Sequence, residues 1–352
     1  MVGWPDRRLL DLVGVEHPII QAPMANAGGA DLCIGAAEGG ALGSLPCGML
    51  SPDQIRAQVA AVRERMRGPV NLNFFAHRMP QQADDSAWRA VLRPFYDEFG
   101  IGEPPPAPLR LPFDEGACFV VEELKPEVAS FHFGLPDAPL LERVRATGAM
   151  IVATATTVAE ARWLEDRGVD VIIAQGFEAG GHTGRFLGSD PAEALGLFAL
   201  LPQVVDAVAA PVIAAGSIAD GRGIAAAFAL GASAVQMGTA YLHCPESLLK
   251  DKQRALLKTR PTLFTNIYSG GLARALRGRL IEEIGAIRDD APAYPLAGAA
   301  TMPLYRAALE RGDFEFMPSL AGQAGPLGQP LPAAELTRKL AADALAIIGR
   351  GA

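Results

Sequence analysis

The sequence lacks most features that would place a protein in a membrane, outside the cell or on nucleic acid. Its four cysteines form no Cys-x-x-Cys pair, so neither a zinc site nor a disulfide scaffold is indicated. It has no uninterrupted apolar run of about 18 residues, no apolar stretch after its first basic pair to make a secretory signal, and no block of about five or six basic residues. We therefore expect a protein of the reducing cytoplasm that spans no membrane, binds no nucleic acid and has small molecules as partners.

The sequence does contain enough apolar material for a large core. Of its 352 residues, 50% are hydrophobic and 20% are charged, with a formal net charge of −8. This composition excludes a disordered chain. At roughly 150 residues per domain the length fits two domains, and it fits equally well one α/β barrel of roughly 250 residues with an addition.

Short apolar runs recur through the first two thirds of the chain, and helical patterns lie between them. Several runs are almost continuously apolar, which is typical of parallel strands covered on both faces. The eight predicted strands are 17–21, 40–45, 69–74, 128–133, 149–153, 169–174, 211–215 and 232–237.

The segments between the strands carry helix start and stop signals. Residues 51–67 open with Ser-Pro, an N-cap followed by proline at the first helical position. Residues 157–167 and 220–230 are each followed by a glycine, a common C-terminal signal. Eight strands alternating with helices predict an α/β fold, a TIM (β/α)8 barrel, rather than a doubly wound sheet.

Two segments do not fit this alternation. Residues 78–125 contain a proline-rich stretch, GEPPPAP, and predict an insertion after the third strand with a helix over 86–99. Residues 243–352 show no strand-like periodicity and predict a helical C-terminal extension, Pro/Gly-rich over 292–332. We expect the barrel over 1–242, with an extension that either covers the barrel mouth or makes contacts between subunits.

Glycines and polar residues follow several predicted strands, at the barrel end where active sites lie. Gly216-Ser217 and Gly238-Thr239 follow the last two strands, which commonly bind phosphate in barrels, and the first pair precedes the helix predicted over 220–230. Glycine lets backbone N–H donors approach a phosphate closely. Each pair alone is typical of a tight turn, but together they favour a phosphate-bearing cofactor.

Two amide side chains are predicted near the centre of the same rim. Asn71 and Gln175 can donate and accept hydrogen bonds at once, which suits the mixed polar edge of a flavin ring. Either could equally cap a strand end or bond a loop.

Two histidines have a context that suggests chemistry. His182 lies in a glycine-rich loop, EAGGHTG, and suits proton transfer near neutral pH, although a loop histidine can simply bond a carbonyl. His132 ends an apolar strand, so a core histidine with satisfied hydrogen bonds is an equal alternative. Neither has a neighbouring Asp/Glu pattern that demands a metal, so we predict none. No cysteine has a visible base partner for nucleophilic catalysis.

Five motifs in order resemble a known family. They are QAPMANAGG, FHFGLP, QGFEAGGHTG, PVIAAGSIADGRG and GASAVQMGTAYL, and the resemblance runs from about Gln21 to Gly325. They are similar to the class I nitronate monooxygenases, formerly called 2-nitropropane dioxygenases; FHFGLP is the most discriminating. The resemblance implies an FMN-containing TIM barrel that oxidises alkyl nitronates, such as propionate 3-nitronate, with O2 to a carbonyl compound and nitrite.

The same resemblance implies roles for individual residues. Ala22, Pro23 and Met24 would run beside the flavin ring, and Asn71 and Gln175 would bond its polar edge. The ribityl chain and phosphate would be held by Gly180, Gly181, Gly216, Ser217, Gln236, Met237, Gly238 and Thr239.

His182 matches the family's catalytic base, and His132 would face the nitro group of the substrate. Ser217 departs from the pattern, since relatives usually have a second glycine there, but its hydroxyl can still donate to a phosphate. The substrate lid around Tyr294 varies, which leaves substrate size open.

Two other functions fit parts of the pattern. An NAD(P)H-dependent FMN reductase of a quinone or enoyl thioester would share the cofactor residues, because FMN-dependent enoyl reductases have similar glycine motifs. A non-catalytic barrel that binds a phosphate ligand would share the phosphate loops only. The oligomeric state is left open.

Overall fold

The computed structural model describes residues 3–81, 84–104, 108–188, 190 and 193–351. Its strands in this described part are β1 (Ile19–Gln21), β2 (Gly43–Pro46), β3 (Val70–Phe75), β4 (Val128–His132), β5 (Met150–Ala155), β6 (Val171–Gln175), β7 (Gly181–His182), β8 (Val212–Ala215), β9 (Ala234–Met237), β10 (Thr262–Thr265) and β11 (Ala273–Leu276). The helices are α1 (Arg8–Val13), α2 (Ala30–Glu38), α3 (Pro52–Arg65), α4 (Ser86–Phe99), α5 (Glu115–Leu124), α6 (Ala138–Ala146), α7 (Val158–Glu165), α8 (Leu197–Val205), α9 (Gly221–Ala229), α10 (Thr239–Leu242), α11 (Asp251–Thr259), α12 (Arg279–Ile284), α13 (Leu296–Glu310) and α14 (Ala333–Gly351).

Eight parallel strands form a barrel, as predicted. Their order is β1-β9-β8-β6-β5-β4-β3-β2. A bridge between Ile20 and Leu42 joins the two ends, with Gln21 N donating to Leu42 O at 3.0 Å and Leu42 N donating to Ile19 O at 2.9 Å. Each of the eight predicted strands overlaps one barrel strand, which confirms the reading of the apolar runs.

The helices around the barrel begin where their capping residues indicate. Ser51 and Gln54 form a capping box at the start of α3, and the Thr157 side chain caps α7. Asp220 caps α9 by accepting from the backbone N–H groups of Arg222 and Gly223. These local signals set the direction in which the chain leaves each strand.

The outer ring includes a helix from the far end of the chain. Helix α14 packs against α2 and α9, and its apolar face joins the main core through Leu336, Leu340 and Ala344. The approach to α9 is close, because a Cβ on Gly221 would lie 2.6 Å from Asp343 Cβ. The ring of helices around the barrel is therefore completed by α14, the last helix of the C-terminal segment.

A second apolar core lies beside the barrel mouth. Helix α4, which coincides with the predicted helix over 86–99, packs its aromatic face on α12, α13 and β11. Trp88 and Leu92 are fully buried there, together with Phe316 from the C-terminal segment. The insertion and the C-terminal segment thus share one core.

The C-terminal segment is not wholly helical. Strands β10 and β11 pair antiparallel, and β11 also pairs with β7, giving a second sheet in the order β10-β11-β7. These two strands were not predicted, because each has only four residues and neither alternates clearly between apolar and polar side chains.

No helix in the described ranges is both long enough and apolar enough to cross a membrane.

The shared core predicts that the insertion contributes strongly to stability. Replacing Trp88, which is 0% exposed, with alanine leaves a large cavity and should lower the free energy of unfolding by about 3–5 kcal/mol. Chemical denaturation measures this change. Phe119→Ala, at a residue 59% exposed on α5, is the control and should change it by less than about 0.5 kcal/mol. Equal effects of the two substitutions would show that α4 does not pack as described.

Candidate active site

A cavity of about 870 Å³ lies at the carboxyl-terminal end of the barrel. Its floor is the rim of the barrel, and its walls come from the insertion around residues 108–117 and from the C-terminal segment over 248–324. Most of the residues singled out from the sequence meet here. They are Ala22, Pro23, Met24, His132, Gln175, Gly180, Gly181, His182, Gly216, Ser217, Gln236, Gly238 and Thr239.

Two of the predicted cofactor residues do not line this cavity. Asn71 is 2% exposed and lies deeper in the barrel, where its Nδ2 donates to Ser44 Oγ at 3.0 Å. Asn73, two residues further along β3, lines the cavity instead. The side chain of Met237 packs in the main core, and only its carbonyl reaches the rim, accepting from Ala22 N at 2.9 Å.

One end of the cavity presents backbone suited to an anion. Gly216 has φ +136° and Ser217 has φ +51°, so the loop after β8 turns through the left-handed region. Helix α10 begins at Thr239 with no side-chain cap. The sequence suggested that the N-terminus of helix α9 would face a phosphate, but the Asp220 carboxylate already caps that N-terminus. An anion would therefore meet the loop after β8 and the short helix after β9, a known arrangement in barrels.

Ser217 does not present its hydroxyl to that end of the cavity. Its Oγ donates to the carbonyl of Glu178 at 3.1 Å, in the loop after β6. A non-glycine residue in left-handed backbone carries a cost of roughly 1–2 kcal/mol. The hydrogen bond offsets part of that cost and links the two loops.

Gly180 is needed for a close crossing of two chain segments. A Cβ at this position would collide with the backbone of Ala321 and Gly322. Gly322 N in turn donates to Thr239 Oγ1 at 2.9 Å, and Gln323 N donates to the Glu178 carbonyl at 3.1 Å. These hydrogen bonds hold the C-terminal segment against the loops after β6 and β9.

The backbone of His182 is held from several sides. Its carbonyl accepts from Nε2 of His132 at 3.1 Å and from Nε2 of Gln175 at 3.0 Å. Strand β7 pairs with β11, His182 opposite Ala273, and Thr183 N donates to Leu272 O at 2.9 Å. These bonds fix the position from which the His182 ring enters the cavity.

The His182 ring lies among aromatic side chains. Its Nε2 is 2.7 Å from Ser269 Oγ, and its centroid is 5.3 Å from that of Tyr294 and 5.9 Å from that of Phe133. Burial lowers the pKa of His182 to about 3, and the positive charge of Arg110 adds to the effect. The imidazole is therefore neutral at pH 7, the state in which one ring nitrogen carries a lone pair.

His132 lines the cavity, and its ring nitrogens already have protein partners. Its Nδ1 is 3.2 Å from Thr154 Oγ1, and its Nε2 bonds the carbonyl of His182. Burial lowers its pKa to about 4, so it is neutral at pH 7. Both ring nitrogens thus bond to protein atoms, and one of these bonds ties His132 to the backbone of the His182 loop.

Arg110, Ser269 and Tyr294 complete the surroundings of His182. Arg110 was not found from the sequence because it lies in the proline-rich insertion, remote from every strand end. Ser269 was not singled out from the sequence, and Tyr294 was noted only as part of a variable lid, because neither residue follows a predicted barrel strand. No group of three or more His, Cys, Asp or Glu side chains in the described ranges could hold a metal ion.

Comparison with known proteins decides the family. The model of the nitronate monooxygenase family matches residues 6–343. The chain belongs to the nitronate monooxygenase family. It is 41% identical to a nitronate monooxygenase of Paraburkholderia phytofirmans over 346 residues, covering 95% of this chain and 94% of the relative. It is 40% identical to one of Pseudomonas aeruginosa, covering 95% and 97%.

Two solved structures share the fold of this chain. A nitroalkane oxidase from Streptomyces ansochromogenes superposes with a TM-score of 0.89 at 35% identity, covering 97% of this chain and 99% of that one. FabK from Thermotoga maritima superposes with a TM-score of 0.77 at 28% identity, covering 97% of each chain. The chain is accordingly an oxidoreductase on a TIM barrel.

The link between Ser217 and Glu178 can be tested by two substitutions at one position. Ser217→Ala keeps a Cβ in left-handed backbone and loses the hydrogen bond, so it should lower the free energy of unfolding by about 1 kcal/mol. Ser217→Gly loses the same bond but removes the backbone cost, so it should stay within about 0.5 kcal/mol of the natural protein. Denaturant titration of both variants provides the comparison. A glycine variant as unstable as the alanine variant would contradict this explanation.

Proposed function

We propose that this protein is an FMN-dependent enzyme that oxidises alkyl nitronates with O2 to a carbonyl compound and nitrite. The observation that carries the proposal is the neutral His182 ring in the cavity, with the Arg110 guanidinium nearby and glycine-rich backbone at the anion-suited end. A base and a cation in one cavity suit a substrate that becomes an anion when it loses a proton.

The cavity residues fit an FMN molecule. Its phosphate would meet Gly216, Gly238 and Thr239, where a helix start has no side-chain cap and backbone can approach a ligand closely. Asn73 and Gln175 would face the polar edge of its ring. When bound, the flavin supplies electron transfer from the nitronate and a site for reaction with O2.

The proton step for neutral nitroalkanes depends on one atom of His182. Ser269 Oγ lies 3.4 Å from Gly271 O, to which it can donate, and accepts from Gly271 N at 3.3 Å. In that arrangement Nε2–H of His182 donates to Ser269 Oγ, which leaves the lone pair of Nδ1 free. Nδ1 would take the proton from the carbon next to the nitro group. A nitronate has already lost this proton and needs no base.

The overall activity is tested by mixing the FMN-loaded protein anaerobically with propionate 3-nitronate, and separately with NADH. The nitronate should change the flavin absorbance rapidly and NADH should not, because the substrate itself provides the electrons. Admitting O2 should then release nitrite. Bleaching by NADH without a response to the nitronate would instead assign the protein to the NAD(P)H-dependent reductases.

The base role of His182 predicts a difference between two forms of one substrate. His182→Asn should lower kcat/KM for neutral nitroethane by about 10²–10⁴-fold, the usual contribution of a general base. Turnover of ethyl nitronate should change only a few-fold. Steady-state nitrite release with each form measures the ratio. Equal losses for the two forms would remove the base role, and normal flavin content in the variant controls for damage to the cofactor site.

A further inference from the structure

The insertion after β3 brings a cation to the catalytic cavity. Arg110 lines the cavity, and its positive charge is one cause of the low pKa of His182. The segment that carries it is anchored at two points: His77 Nε2 bonds the Arg110 carbonyl at 3.1 Å, and Phe113 N donates to Phe75 O at 2.7 Å. The guanidinium therefore has a defined position.

Most of the hydrogen-bonding capacity of this guanidinium is unused. Its Nη1 donates to Tyr294 Oη at 3.0 Å, the one side-chain hydrogen bond of Arg110 within the described residues. Its Nε is buried and has no hydrogen-bond partner among the residues that the structure describes. Asp114, the acidic residue in the cavity lining, accepts from Ala117 N at the start of α5. An arginine in such a place lacks the anion that normally accompanies it.

The walls around Arg110 strengthen its attraction for an anion. Its guanidinium carbon is 5.4 Å from the ring centroid of Phe75 and 5.6 Å from that of Tyr294. The aromatic rings exclude water from part of the guanidinium, and Nη2, unlike the buried Nε, is not closed off from the cavity. Nη2 and the remaining N–H of Nη1 form the end of the guanidinium, which matches two oxygens of one planar group in a bidentate pair.

We propose that Arg110 binds a planar oxyanion of the substrate and so determines which nitro compounds this enzyme accepts. The inference rests on the proposed function and deepens it. Two groups share the required chemistry: the nitronate itself, whose charge is spread over two oxygens, and a carboxylate elsewhere on the same substrate. Arg110 is in contact with Tyr294, which also contacts the His182 ring, so an anion on Arg110 lies next to the base.

Anion binding is measured first without turnover. The FMN-loaded full chain is titrated with nitrate and with acetate, and the perturbation of the flavin spectrum gives the Kd of each. Arg110→Gln should raise these Kd values by at least 10-fold, and Arg110→Lys should restore part of the binding through its charge. Arg78→Gln is the matched control, since it removes the same charge from an exposed position in the same insertion and should leave the Kd values unchanged.

The source of the anion is distinguished by steady-state kinetics with two nitronates. If Arg110 binds the nitronate, Arg110→Gln should raise KM at least 10-fold for both ethyl nitronate and propionate 3-nitronate. If it binds a carboxylate, only the second substrate should lose affinity. In both cases KM should change more than kcat.

Unchanged anion affinity in both Arg110 variants, with normal flavin content, would overturn the proposal. A protein that binds anions through Arg110 and yet turns over no nitronate is a separate outcome. Anion binding that is lost in Arg110→Gln would then support the role of Arg110, and the missing turnover would reject only the proposed function. If Arg110→Gln fails to fold, the nitrate Kd of Arg110→Lys tests the proposal instead, because lysine keeps the charge but cannot form a bidentate pair. This Kd should rise several-fold, and an unchanged Kd would contradict the proposal.

Discussion

The pairing of β7 with β11 is the interaction on which the candidate site depends. It joins the loop after the sixth barrel strand to a segment almost a hundred residues further along the chain, with His182 opposite Ala273 and Gly181 opposite Arg274. Without it the loop would keep only its contacts with the barrel rim and with the backbone around Gly322 and Gln323. With it, the ring of His182, the lid residue Tyr294 and the hydroxyl of Ser269 are brought to one side of a single cavity.

Arg274 shows how firmly that connection is made. It is 2% exposed, and its Nε and Nη2 donate to the carbonyl of Phe177 at 3.1 and 3.0 Å. Its guanidinium also lies 4.7 Å from the ring centroid of Phe177 and 4.3 Å from that of Phe264. A buried cation is tolerated only when hydrogen bonds and aromatic faces replace its water, and here both do. The loop is thereby held on the lid side as well as by His132 and Gln175 on the barrel side.

The barrel could be predicted because parallel strands covered on both faces have almost continuously apolar sequences. The helix over 86–99 was predicted with its exact bounds because its aromatic residues lie on one face. The site could be predicted only in part. Asn71 and Asn73 share one face of β3, and the sequence does not tell which of them reaches the rim. Arg110 could not be found at all, because its place depends on how a proline-rich insertion folds against the lid. The same holds for α14, which returns to the barrel ring after the lid is complete.

Amide hydrogen exchange over residues 176–184, followed by mass spectrometry with and without FMN, tests most directly whether the site is preformed. The account predicts that these amides exchange slowly in both states, at rates close to those of β11, since backbone pairing rather than the cofactor holds the loop. Exchange as fast as that of an exposed loop in the flavin-free protein, with protection only after FMN is added, would contradict it.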